Sequence, residues 1–225
     1  MPSRRIMPKT GRMLGLPKKR IMPPRWGPGF AEIAARFLEK QGQQTAFEPA
    51  VLQYAARFKG AGMETVDAIV DAIARFKRRQ LAMEELRHIY VKRTAADIIK
   101  SGFVAVSKKR NPEPFSNVMG CTDFNIVLCA ILRAKGIPAK FVRALTNTYT
   151  HFYLDGKWFE VNQALALARI VNRRKKLKAA EPIKEIGTKR AREIEVMKRQ
   201  GNCAEGLDAW DIGVKSFSDF NNYAH

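Results

Sequence analysis

Hydrophobic positions between Phe30 and about Gln80 recur at intervals of three and four: Ile33, Phe37 and Leu38, then Val51, Leu52, Ala55 and Phe58, then Val66, Ile69, Val70, Ile73 and Phe76. That period gathers the apolar side chains of each stretch on one face and predicts three short helices, separated by the glycine-bearing stretches 41–44 and 59–63. A further helix is expected from Ala82 to about Tyr90. Thr94 with Asp97 three positions on forms a capping box that opens a helix over Ala95 to Lys100, and Gly102 stops it. Cations, Pro112 and Pro114 make 107–117 an exposed loop leading to Gly120. Beyond it, Phe124, Leu128, Ile131 and Leu132 mark a helix that closes at Lys135 and Gly136, with Pro138 just past its end.

The pattern then changes to strands. Val142 to Leu145 predicts one, and His151 to Leu154 with Lys157 to Val161 predicts a hairpin, because Asp155-Gly156 is a two-residue turn sequence. Such a turn pairs Leu154 with Lys157 and sets His151 opposite Glu160. Alternation places His151, Tyr153, Trp158, Glu160 and Asn162 on one face, and Phe152, Leu154, Phe159 and Val161 on the other. The apolar face is expected to meet the core and the other to carry polar chemistry. The organisation expected is a disordered basic arm over 1–29, which holds six of the eleven prolines, a helical N-terminal extension over 30–90, a core over 91–165, and a basic helix with a tail over 166–225. Cys203, Trp210, Phe217 and Phe220 are the residues expected to pack that tail on the core.

With 225 residues, one core domain with appendages is the expectation. The longest apolar run, Ile126 to Leu132, has seven residues, against roughly 20 for a membrane-spanning helix. No transmembrane segment is therefore expected, and with no secretory h-region the expected location is cytoplasmic. Three cysteines without a C-x-x-C spacing argue against a disulfide scaffold or a zinc module, and nothing calls for a metal or cofactor. The net charge of +20 is concentrated: 1–29 carries eight Lys or Arg and no acid, and 168–200 carries twelve against four Glu. Both segments suit a nucleic acid or an acidic protein partner through general electrostatics, although no nucleic-acid-binding motif is present.

Cys121 follows a glycine and opens a helix, where amide donors and the dipole favour the thiolate form of a cysteine. A nucleophilic thiol needs an imidazole, and of the three histidines only His151 stands at a strand start; His88 sits on a helix surface and His225 is the last residue. Asn162, diagonal to His151, and Glu160, directly opposite, compete to orient the ring. Cys129 is expected to be an inert core thiol, Trp158 and Trp210 packing anchors, and Asp123 a helix-start carboxylate near the positive dipole end.

The run Gly120-Cys121-Thr122-Asp123-Phe124, then Leu132-Arg133-Ala134-Lys135-Gly136-Ile137-Pro138-Ala139-Lys140, then His151 and Gly156-Lys157-Trp158-Phe159-Glu160-Val161-Asn162, resembles the core of the transglutaminase-like superfamily, over about Thr94 to Gln163. Thr94-Ala95-Ala96 and Gly206-Leu207-Asp208-Ala209-Trp210-Asp211 resemble flanks of its prokaryotic members. The resemblance implies an α+β, papain-like fold with a Cys-bearing helix packed on an antiparallel sheet. It further implies Cys121 as nucleophile, His151 as base and Asn162 as orienting residue, acting on a peptide or protein substrate. Cys121 would attack a carboxamide or peptide carbonyl, His151 would protonate the leaving amine, and water or an amine would resolve the thioester, without a cofactor. The Cys121 amide and a donor from 116–119 would form the oxyanion hole. Three departures stand out: Asn162 replaces the family's Asp, Lys140 replaces its Arg, and His151 lies only seven positions before Trp158, where the family has a longer strand. The contrasting expectation is a catalytically inactive domain whose basic segments bind nucleic acid or an acidic protein.

Overall fold

In the computed structural model, residues 36–38, 41–108, 120–145, 147–216 and 218–219 are described. The arm expected over 1–29, the oxyanion donors expected at 116–119, and Phe217 and Phe220 lie outside them. In chain order the elements are α1 Pro49–Ala55, α2 Met63–Ala74, β1 Lys77–Leu81, α3 Met83–Ile89, α4 Ala95–Ser101, β2 Phe103–Ser107, α5 Cys121–Ala134, β3 Ala139–Ala144, β4 Asn147–Leu154, β5 Lys157–Val161, α6 Gln163–Arg174, β6 Ile183–Glu185, α7 Thr188–Arg199 and β7 Cys203–Gly206. Among the described residues no helix is long and apolar enough to cross a membrane.

Five strands form an antiparallel sheet in the order β6-β5-β4-β3-β7, while β1 and β2 form a separate parallel pair. The fold class is α+β. The β4–β5 hairpin has the register its turn dictates, with Leu154 opposite Lys157 and His151 opposite Glu160. Asp155 and Gly156 both take positive φ, 48° and 82°, as a two-residue turn between twisted strands requires. Thr94 and Asp97 form the capping box of α4, and Gly102 closes it in the left-handed conformation.

Helix α5 is the centre of the core. Every residue from Thr122 to Arg133 is buried, so one side packs on α1, α2 and α4 and the other on β3 and β4. A helix apolar nearly all round is stable only when enclosed in this way, each buried Ile or Leu contributing roughly 1.5–3 kcal/mol. Its polar side chains are satisfied internally. Arg133 donates to the Ala139 carbonyl at 2.6 Å, the Leu207 carbonyl at 2.7 Å and Thr45 Oγ1 at 2.9 Å.

The extension before the core is not wholly helical. Helical periodicity runs to Phe76, but Lys77 to Gln80 supply no apolar repeat, and these residues pair with β2 instead. After Gly206 the chain crosses back over the core: Leu207, Ala209 and Val214 are buried, and Trp210 Nε1 donates to the Val91 carbonyl at 2.6 Å. The outer face of the sheet is covered by α7, which buries a single residue, Ile194, in a small cluster with Val142, Ala144 and Cys203.

Candidate functional site

Gly120 fixes the entry to α5. Its φ is +80°, and a Cβ there would stand 3.1 Å from Val104 Cγ2 and 3.3 Å from Val106 Cγ1, so glycine alone allows the chain to turn this tightly over β2. The first turn of α5 is then pinned from two sides. Asp123 accepts from the Ala105 amide at 2.8 Å and from the Arg93 guanidinium, and Tyr90 and Thr122 share a 2.6 Å hydroxyl contact. Asp123 thus ties the helix to β2 and Arg93 rather than capping it; burial pushes its carboxyl up, against the pull of Arg93. Cys121 emerges half-buried, whereas Cys129 and Cys203 are buried.

Cys121 opens onto a cavity of about 300 Å³, whose walls include Arg78 from β1, Asn147 and Tyr149 from β4, and Asn162, Gln163 and Leu167 from the start of α6. Asn162 reaches this cavity because the strand ends one residue earlier, at Val161. The Asn162 backbone is still extended, with φ −101° and ψ 111°, and as the N-cap of α6 its Oδ1 accepts from the Leu165 amide at 3.2 Å.

His151 lies elsewhere. It sits in the middle of β4, opposite Lys140 on β3 and Glu160 on β5, and is 1% exposed. The flanking Thr150 points inward, its hydroxyl donating to Asn125 Oδ1 of α5 at 2.8 Å, and the flanking Phe152 is fully buried. Alternation directs His151 to the opposite, α7-covered face. There it lines a second cavity of about 350 Å³ with Lys140, Trp158, Lys198 and Glu205. The structure thus brings Cys121 and Asn162 together and leaves His151 in a different cavity. Among the described residues, none lining the Cys121 cavity is a histidine, and His88 is exposed on α3.

On the outer face His151 belongs to an ionic network. Its Nε2 is 3.1 Å from Glu160 Oε2, which also accepts from Arg190 at 2.9 Å, and Glu205 is paired with Lys140 at 2.9 Å and Lys198 at 2.8 Å. Burial pushes the imidazole below its ordinary 6.5, against the pull of the Glu160 hydrogen bond. Burial alone would raise Glu160 and Glu205, but hydrogen bonds from His151 and Arg190 hold the first down, and Lys140 with Lys198 holds down the second. The consistent state is a neutral imidazole whose Nε2–H donates to an ionised Glu160, a tautomer assigned from this geometry.

Arg78, Asn147, Tyr149 and Gln163 are the cavity residues that motif reading passes over. Asn147 carried a signal: it begins β4 eleven positions before Trp158, so the longer strand of the family pattern starts there and not at His151. Arg78 carried none, since β1 exists only through its pairing with β2.

Residues 67–163 match the family model described as the transglutaminase-like superfamily, a span that runs from α2 to the first residue of α6. Among solved structures, "a Putative Cysteine Protease from Cytophaga hutchinsonii" is similar at 17% identity and a TM-score of 0.44, over 84% of this chain and 50% of that one. The chain thus spans about half the length of that protein. No curated protein matches the sequence.

Proposed function

From residues 67–163, which match the model of the transglutaminase-like superfamily, we propose that the chain uses its Cys121 cavity to bind a segment of a protein partner and does not drive acyl transfer from it. The observation that carries this reading is that thiol and imidazole line different cavities. A general base must come within about 2.6–3.2 Å of the group it deprotonates. His151 is fully buried and its Nε2 faces Glu160. Asn147 and Asn162 stand in the cavity instead, and a carboxamide cannot take the thiol proton.

What the cavity does offer is recognition. Asn147 and Asn162 bring carboxamides, Arg78 a guanidinium, and the start of α5 the positive end of its dipole, a set suited to backbone amides and carboxylates. The competing reading, peptide or amide hydrolysis or acyl transfer with Cys121 as nucleophile, His151 as base and Asn162 or Glu160 orienting it, draws on the superfamily and on the helix-start position of Cys121. It requires His151 to leave Glu160 and reach the Cys121 cavity.

Iodoacetamide labelling read by peptide mass spectrometry separates the two. In wild type, Cys121 should label faster than Cys129 and Cys203 because it is the accessible thiol, with a rate that His151→Gln leaves within about twofold between pH 5.5 and pH 8. A loss of about tenfold or more in His151→Gln at the acidic end, or an acyl-enzyme mass on Cys121 after incubation with amide substrates, would overturn the proposal.

A further inference from the structure

Helix α6 begins at the Cys121 cavity and ends in the strongest run of exposed positive charge among the described residues. Ala164 and Leu167 line the cavity. Ala168 and Val171 follow at helical spacing, so a single stripe of small and aliphatic side chains runs from the cavity mouth along the helix. Ala164 is exposed, Leu167 and Ala168 are half-buried, and Val171 is 47% exposed.

The orientation of the helix is imposed from beneath. Ala166 and Ile170 enter the core. Arg169 pairs with Asp67 and Asp71 of α2, and Arg173 pairs with Asp71. With the other side of the helix fixed to α2, Ala164 and Val171 are held outward, and Leu167 between them packs partly on the core.

At the far end stand Arg174, Lys175, Lys176, Leu177 and Lys178, all exposed, with Leu177 at 59%. None of these four cations is in an ion pair among the described residues. This corner is built and not frayed. Lys176 takes a left-handed φ of 57°, the Leu177 amide donates to the Asn172 carbonyl at 2.9 Å, and Asn172 Nδ2 donates to the Lys178 carbonyl at 2.9 Å.

We propose that the occupant of the Cys121 cavity is an extended segment of an acidic protein that lies along α6, with small or aliphatic residues over the stripe and a cluster of Asp or Glu on Arg174, Lys175, Lys176 and Lys178. This rests on the cavity being a ligand site, as argued above. The eleven residue steps from Ala164 to Lys175 span about 16 Å of helix. An extended chain covers that in about five residues, so the acidic cluster falls about five residues from the one in the cavity. Polyanions of other classes fit less well. A nucleic acid would set its phosphates against the apolar stripe and finds no aromatic stacking platform on it, and a bilayer surface cannot enter a cavity of this size.

The test is fluorescence anisotropy on the full chain, with fluorescein-labelled peptides of roughly ten residues carrying Gln, then Leu, Ala and Val, then four Glu, in both chain directions. Glu→Gln versions, an oligonucleotide of equal charge and phosphatidylserine vesicles are the alternatives. Binding of one acidic direction, weakened at least about tenfold by Lys175→Glu with Lys176→Glu and also by Ala164→Trp, which fills the cavity mouth, is the expected result. Both variants change exposed positions, and circular dichroism checks that they fold. If Ala164→Trp abolishes binding while charge reversal does not, the cavity reading stands and the acidic segment is overturned. Loss on charge reversal alone, tighter binding of oligonucleotide or vesicles, or no peptide binding up to millimolar concentration overturns the whole proposal.

Discussion

The two faces of the five-stranded sheet handle polar residues in different ways. On the inner face, under α5, Asn125, Thr148, Thr150 and Cys129 are uncharged groups hydrogen-bonded to one another or to backbone, and the buried Arg143 of β3 lies opposite Thr148 beside them. On the outer face, under α7, the polar groups are charged or titratable and linked in series: Arg190 to Glu160 to His151, and Lys140 and Lys198 to Glu205. The inner set fixes the start of a buried helix and thereby aims Cys121. The outer set fastens a helix with only one buried apolar side chain of its own, and the imidazole serves there as a strut. Strand β4 supplies both sets from adjacent residues, so a slip of one residue would exchange them.

The largest effect is expected on the inner face. Asn125 Nδ2 donates to the Cys121 carbonyl at 2.8 Å and the Thr148 carbonyl at 2.9 Å, so Asn125→Ala should lower urea-unfolding stability by roughly 2–3 kcal/mol. Arg190→Ala, at a partly exposed pair, should cost under about 1 kcal/mol. Equal losses would break the contrast between a specifying face and a fastening one. Next in size is a graft along β4: Asn147→His, four residues before His151, puts an imidazole in the wall of the Cys121 cavity and should speed alkylation of that thiol at about pH 6 by at least about tenfold, with Cys129 and Cys203 unchanged. No acceleration would mean that the start of β4 does not face the thiol.

The smallest effect is on pH dependence. His151 has its folded value below 6.5, so the unfolded chain binds its proton more readily and stability declines as pH falls through 6.5. Glu160 and Glu205, held below 4.5, add a second decline as pH drops under 4.5. Thermal melts of His151→Gln should lose the first decline and keep the second. An unchanged first decline would assign it to another group.

Features set by neighbours in the chain were legible. Asp155-Gly156 determines the hairpin register, Thr94 with Asp97 the start of α4, and Gly120 the start of α5, each through contacts within a few residues. Features set by distant partners were not. Nothing in Lys77 to Gln80 announces a strand until Phe103 to Val106 lies beside it. The position of His151 is the instructive case. The alternation that turns Phe152, Leu154, Phe159 and Val161 inward also sends His151 outward, whereas the motif resemblance gives it to the thiol. Of the two signals, the period of two prevails, because an imidazole on the inner face would turn that apolar set into solvent.

Both borders of the central meander come from late in the chain. β3, β4 and β5 are complete at Val161, yet β6 at Ile183–Glu185 and β7 at Cys203–Gly206 supply the strands that flank them. During synthesis, at 5–20 residues per second, the meander therefore waits with two open hydrogen-bonding edges for roughly 1–5 s until β6 emerges, and with the β3 edge open for roughly 2–9 s until β7 does. Premature termination within that window would release a chain with a formed core and adhesive edges, so the last quarter of the sequence acts as its own guard against self-association.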